Sequence, residues 1–322
     1  MALNVKLWGV RGSLPTPLKP QVIEERIRQT LSSFKESGKD IETFVKGLSH
    51  QNYGGFGGNT ACIDVKSDNH HLIIDAGSGI RQLGAELLAG PCGKGQGTID
   101  LLFTHFHWDH LVGLPFFIPI FIPGNTINVY SVQPDVETVF RHVFQKPYFP
   151  VPYDRLGAKI NYHALKPRES KMFGDIQVTP YQLDHPDPCW GYKIENSGKT
   201  FSYCVDTECT RASRIDLGPD LPLYQDVDLM IFDAQYTFSE AMEKIDWGHA
   251  SAPVGLDIAM REGIKKVIFI HHDPAASDEK IANAEKQTRD YYNACLKEGQ
   301  RNNLAIKEVE WEFGHEGMEI KL

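Results

Sequence analysis

Apolar and polar positions alternate along this chain in two registers. Short apolar runs with period two, or with no polar gap, predict strands at Leu3–Val10, Ala61–Lys66, His71–Asp75 and Ile99–Phe103 in the first half. Further on they predict strands at Ile160–Leu165, Ile176–Leu183, Trp190–Glu195, Thr200–Asp206, Asp228–Asp233 and Lys266–Ile270. Ala305–Phe313 and Met318–Leu322 read as a closing hairpin, as do 61–66 and 71–75 nearer the start. Helical spacing predicts four helices: Gln21–Gly38 (Val22, Ile23, Ile27, Leu31, Phe34), Ile80–Leu88, Ala252–Glu262 and Asp278–Lys297. Ser78 and Ser251 are the candidate N-caps of the second and third.

Three stretches fit neither period. Gln51–Asn59, QNYGGFGGN, is loop by composition, serving as a plain turn or as a phosphate cradle. Gly113–Pro123, GLPFFIPIFIP, is apolar but holds three prolines, which exclude a central strand and a regular helix. It reads as an apolar wall near the loop that precedes it. Pro147–Tyr153, PYFPVPY, supplies aromatics that either stack on a flat substrate or pack inside. Strands fall into two groups, each followed by helices, which suits two packed sheets with helices outside. With no linker, repeat or low-complexity segment, the 322 residues read as one domain with a helical insertion at about 18–50 and an apolar, Pro-rich insertion at about 113–153.

Composition narrows the classes. At 41% apolar and 23% charged the chain is an ordinary globular one. It has no apolar run of about 18 residues, so no membrane span is expected. Met1–Trp8 lacks a basic segment followed by a long apolar one. The six cysteines show no CxxC spacing. A cytoplasmic protein with reduced thiols is therefore expected. The net charge of −9 disfavours extended nucleic-acid binding through a broad basic face.

The candidate chemistry centres on Thr104-His105-Phe106-His107-Trp108-Asp109-His110, which leaves the buried run Ile99–Phe103. Four strong ligands lie within six residues. His105 and His107 share one parity, and Asp109 and His110 follow the turn, so one loop can start two metal sites. Imidazole with carboxylate suits zinc, manganese or iron better than calcium or magnesium. Two metals need further ligands, and three strand ends offer them: Leu183-Asp184-His185, Val205-Asp206-Thr207-Glu208 and Ile270-His271-His272-Asp273.

HFHWDH resembles the HxHxDH signature of the metallo-β-lactamase superfamily. The resemblance runs through WGVRGS, GGNTACIDV, IIDAGSGIRQLG, GYKIE, DTE and FIHHDP, nearly the whole chain. It implies an αββα sandwich in the α/β class and a site with two divalent metals. By this likeness one metal takes His105, His107, His185 and Asp206, and the other takes Asp109, His110, Asp206 and His271. Val205 stands where the motif of the bridging aspartate has glycine. Asp75 is implied to lie under the site and support the histidine loop. Gly248-His249-Ala250-Ser251 resembles the HST element of ribonuclease Z and related phosphodiesterases, with Ala after the histidine. Phe232-Asp233-Ala234-Gln235-Tyr236-Thr237 resembles their HEATF stretch, with Asp in place of Glu. The implied catalytic groups are thus Asp109, His249 as general acid, and Asp233 orienting it. A pair of cations activates hydroxide for attack on phosphorus or a carbonyl carbon. The expected function is a dinuclear phosphodiesterase acting on a small phosphodiester such as a cyclic nucleotide, with a homodimer as the expected assembly. The alternatives are a thioesterase or lactonase of the same fold, or an RNA-processing nuclease.

Overall fold

The computed structural model describes residues 3–211, 213–302 and 306–322. Six strands build most of one sheet: β1 (Asn4–Gly9), β2 (Cys62–Lys66), β3 (His71–Ile74), β4 (Thr98–Leu102), β5 (Thr126–Ser131) and β6 (Lys159–Ala164). Seven more build a second sheet: β7 (Lys171–Phe173), β8 (Ile176–Gln182), β9 (Trp190–Asn196), β10 (Lys199–Cys204), β11 (Leu229–Asp233), β12 (Lys266–Ile270) and β13 (Glu310–Phe313). Strand β14 (Glu319–Lys321) then crosses back to pair antiparallel with β1. Helices α1 (Pro20–Ser37), α2 (Ile41–Lys46) and α3 (His50–Tyr53) lie between β1 and β2. Helices α4 (Ile80–Leu87), α5 (Trp108–Leu111), α6 (Val136–Val143), α7 (Arg214–Leu217), α8 (Phe238–Glu243), α9 (Ala252–Glu262) and α10 (Asp278–Arg301) complete the chain.

The sheets face each other across a layer that includes Val5, Leu7, Ile63 and Ile74 on one side and Ile194, Phe201, Ile231 and Ile268 on the other. Both also have covered outer faces. Leu256 and Ala259 of α9 and Ile281 of α10 cover the second sheet, while Ile80 and Leu83 of α4 and Phe140 of α6 cover the first. Strands β10 to β13 run parallel, and the two inner ones, β11 and β12, are buried on both faces and read as nearly unbroken apolar runs. The architecture is the expected αββα sandwich.

The predicted closing hairpin is absent. Strand β13 pairs parallel with β12 in one sheet and β14 pairs with β1 in the other, so the chain's last turn bridges the layers. Ala305, where that expectation began, lies outside the described residues. Strand β5 and helix α6 were not predicted, nor was the short β7. Their sequences, TINVYS and KMF, are brief, and β5 gains its place only by parallel pairing with β4 and β6. Ser78 is not the cap of α4, whose N-cap is Gly79; its hydroxyl instead donates to Asn59 Oδ1 and accepts from Thr60 N–H at 2.9 Å each. Ser251 is the N-cap of α9 without a side-chain cap hydrogen bond.

Parts of the two apolar Pro-rich stretches pack inside, while Phe116, Ile118 and Tyr148 stay exposed. Residues 114–121 form two 3-10 turns that bury Leu114, Phe117 and Ile120 beside α4. Phe149 packs on Phe144 at 5.7 Å and on Phe116 at 6.0 Å between ring centroids. Tyr162 donates to the Tyr153 hydroxyl at 2.9 Å. The Gly-rich loop is no phosphate cradle either, because the protein supplies its own anion. Glu316 accepts from Gly58 N–H (3.0 Å), Asn59 N–H (3.1 Å) and Asn59 Nδ2 (2.7 Å). Glu316→Ala leaves these donors unpaired, so a loss of about 1–3 kcal/mol is expected in urea unfolding. An unchanged midpoint would show that water replaces the carboxylate.

No helix among the described residues is long and apolar enough to cross a membrane.

Candidate metal centre

The carboxyl ends of six strands meet at one edge of the sandwich. Strand β3 delivers Asp75, β4 the loop 104–110, β8 His185, β10 Asp206, β11 Asp233 and β12 His271. Asp75, Asp206 and His271 have φ of 62°, 64° and 68°. Each chain thus breaks sharply out of its strand, and left-handed backbone at a non-glycine residue costs of order 1–3 kcal/mol, a cost typical of functional sites. Gly12 lets the first turn approach this edge, since a Cβ there would stand 2.3 Å from Gln235 Oε1 and 2.8 Å from the His271 ring.

Asp75 sits beneath the histidine loop. It accepts from Thr104 N–H (2.9 Å), Thr104 Oγ1 (2.9 Å) and His110 Nδ1 (2.8 Å). Occupying Nδ1 leaves His110 Nε2 with its lone pair turned to the opposite side. His105 Nδ1 is similarly engaged, 3.1 Å from Thr104 Oγ1. Both Nε2 atoms stand 3.0 Å from Asp206 Oδ2. His271 Nε2 stands 2.9 Å from Asp206 Oδ1 and 3.1 Å from Asp109 Oδ2. Ser13 N–H donates to Asp109 Oδ2 at 2.8 Å.

Every predicted ligand is therefore brought together. His105, His107, His185 and Asp206 offer ligand atoms within 4.8 Å of one another, and so do Asp109, His110, Asp206 and His271. Asp206 belongs to both groups. His272 does not: its Nε2 donates to Gly314 O at 2.9 Å and its ring lies flat over Phe313.

The donor set fits cations. His105 Nε2, His110 Nε2, His185 Nε2 and Asp206 Oδ1 are buried without a hydrogen-bond partner. Three of them lie close to other site atoms, yet without the alignment of a hydrogen bond; lone pairs converging on a shared point produce this pattern. Charge points the same way. Burial would raise the Asp206 carboxyl, but His271, His110 and His105 hold it well below the usual range. Asp109 is held down in the same manner by His110 and His271. Burial and the neighbouring His110 push His105 down to about 3, so it is neutral and able to ligate. His110 and His271 are pushed well up, since the carboxylates around them outweigh burial. Ionised carboxylates buried this closely require positive charge beside them.

His249 stands at the rim of this cluster. Its Nδ1 lies 3.0 Å from Asp233 Oδ2 and 3.9 Å from Asp206 Oδ1. Asp233 is fully buried and also accepts from the backbone N–H of Asp206, Gln235 and Ala250 at 3.0–3.2 Å. Asp206, Asp233, His249 and His271 form a third group with mutually close ligand atoms, so proximity alone does not separate His249 from the ligands.

Three supporting residues escaped the sequence reading. Glu208 Oε1 accepts from Gly248 N–H at 2.9 Å. Gly248 has φ 87°, and a Cβ there would meet His185 Cδ2 at 2.3 Å, so this residue must be glycine for the His249 loop to lie on the His185 ring. Asp187 Oδ2 meets His107 Nε2 at 2.8 Å. Ser13 acts through its backbone. Glu208 and Asp187 each lie two residues from a ligand, the one signal the sequence carried for them.

Comparison with known proteins agrees with this geometry. A family described as "Beta-lactamase superfamily domain" matches residues 70–272, more than half of the chain. Ribonuclease Z of Clostridium perfringens is 22% identical over 262 residues, 65% of this chain and 81% of that protein. Among solved structures, the metallo-beta-lactamase fold protein YhfI of Bacillus subtilis superposes with a TM-score of 0.63 at 14% identity, covering 100% of this chain and 99% of that one. Unliganded yeast PDE1 gives 0.63 at 15% identity, covering 100% and 99%. With its αββα layers and its His/Asp cluster at the strand ends, this chain belongs to the beta-lactamase superfamily, as a metallo-β-lactamase-fold hydrolase related to ribonuclease Z.

Proposed function

We propose that this protein is a dinuclear metal-dependent phosphodiesterase acting on a small phosphodiester such as a cyclic nucleotide. The whole chain, 1–322, is read as one such unit, with 18–50 and 113–153 as additions to it. His105, His107, His185 and Asp206 would hold one metal. Asp109, His110, Asp206 and His271 would hold the other, with zinc, manganese or iron fitting the donors. When bound, such a pair supplies an acidified water as nucleophile and positive charge for the phosphoryl oxygens. The observation that carries the phosphodiesterase reading is His249 on Asp233. Asp233 engages Nδ1 of His249, a residue that lines the site pocket. Nε2 can then give its proton to the departing ester oxygen, which leaves poorly as an alkoxide. Asp233 holds the ring's orientation. A thioesterase has less need of this pair, because thiolates leave readily without a proton.

RNA is the second reading, favoured by the likeness to ribonuclease Z. Against it stands the net charge of −9, which disfavours holding a polyanion on a broad basic face.

Protein purified without chelator is expected to carry two transition-metal ions per chain. It should turn over bis-p-nitrophenyl phosphate and cyclic nucleotides faster than a lactone, a thioester or a tRNA-sized RNA. Stoichiometry near zero, with no activity restored by zinc, manganese or iron, would remove the proposal. Preferred turnover of the lactone or thioester would transfer it to the carbonyl hydrolases.

A further inference from the structure

The site pocket, of about 380 Å³, is lined by Ser13, Phe106, His107, Trp108, Asp109, Asp206 and His249. Its size is at the low end for pockets that take small organic ligands. Most of those residues have a task in the cluster, but Trp108 does not. Its indole is 67% exposed, although His107 and Asp109 on either side are candidate ligands. Ligand pockets are lined largely by apolar and aromatic side chains, and Trp108 lines this one. The backbone beneath it is nevertheless fixed. His110 N–H donates to His107 O at 3.1 Å and Val112 N–H to Trp108 O at 2.7 Å, closing α5 around it. Phe106, the other aromatic of the lining, leans on Phe103 with ring centroids 5.9 Å apart. The pocket thus has a floor of carboxylates and imidazoles and an aromatic rim on the metal-loop side.

We propose that Trp108 is a stacking platform for the substrate, so that the substrate class is a small phosphodiester bearing a nucleobase or similar flat aromatic group. The indole suits this task because it has only two rotatable bonds and every base offers a π-face. Packing within the protein does not account for it, since most of its surface meets solvent. The inference rests on the phosphodiesterase reading for the phosphate half of the ligand, while the base half rests on Trp108 itself.

The test uses the full-length, metal-loaded protein and two probes that need no turnover, adenosine 5′-monophosphate and ribose 5-phosphate. Binding is followed by calorimetry and by indole fluorescence. Trp108→Ala is expected to weaken the nucleotide by roughly 5–150-fold, the span given by about 1–3 kcal/mol of base stacking, and to leave ribose 5-phosphate unchanged. Trp108→Phe should lose less affinity but abolish the fluorescence quench caused by the nucleotide. Trp247 is also exposed, at 62%, and lies two residues before His249, so Trp247→Phe identifies which indole responds. Its quench should persist. Equal weakening of both probes would show that Trp108 only holds the metal loop, and no weakening of either would end the proposal. A quench kept in Trp108→Phe and lost in Trp247→Phe would also overturn it. If the protein hydrolyses no phosphodiester yet keeps the base-dependent difference, the phosphodiesterase reading falls and the platform stands. If it hydrolyses diesters and Trp108→Ala ignores the base, the platform alone falls.

Discussion

His249→Ala is expected to keep its full metal content and to lose roughly 10²–10⁴-fold in kcat on a phosphodiester with an alkoxide leaving group, the usual worth of a positioned general acid. On a p-nitrophenyl diester the loss should shrink, because that leaving group departs without a proton. The contrast between the two substrates is the informative quantity. His249 lies within ligand distance of Asp206 and His271, so a metal role has to be separated from an acid role by measurement. Loss of metal in the variant would make it a ligand. Equal losses on both substrates would make it a group that binds the ground state. Asp233→Ala should show the same leaving-group dependence, more weakly, since Asp233 acts through the imidazole at 3.0 Å. Metal content must be read in that variant too, because Asp233 Oδ2 also lies 3.4 Å from His271 Nδ1.

Asp206→Ala should be the most damaging single change to the centre. Its carboxylate reaches both candidate metal groups: Oδ2 lies 3.0 Å from His105 of the first and 3.0 Å from His110 of the second, and Oδ1 lies 2.9 Å from His271 of the second. Removing it would take the anion shared by the two candidate metal groups and leave five imidazoles around the gap: His105, His107, His110, His185 and His271. The expected result is loss of both metals, or of the weaker one, with turnover falling accordingly. Asp206→Asn separates charge from shape: it keeps an oxygen in place but not the negative charge, and should retain less metal than wild type. Normal metal content and normal turnover in Asp206→Ala would show that the two groups do not share this ligand. Because Asp206 N–H also donates to Asp233, metal should be measured on protein whose folding has been checked by circular dichroism.

The sequence by itself determined the types of the candidate ligands and their order along the chain. Five imidazoles and two carboxylates at the ends of apolar runs are a chemical statement that needs no coordinates, because strand ends are where such groups collect. It also determined most of the strands, β5 and β7 excepted, since apolar periodicity reports burial directly. The parallel core strands β10, β11 and β12 were legible for that reason. Choosing His271 over His272 was possible as well: the first residue after β12 takes φ 68° and turns into the site, while the next turns to Gly314 O. What tertiary structure alone decided are partnerships over long separations. Strand β14 belongs with β1, not with the adjacent β13, because Ile320 fills the layer shared by both sheets. Glu316 fills the anion-binding amides of a loop some 257 residues away. Glu208 sets the loop that carries His249, and an exposed Trp108 looks in sequence like any core tryptophan. Nothing in local spacing encodes which carboxylate meets which amide, or whether an indole faces the core or the solvent. Those outcomes depend on how the two sheets stack.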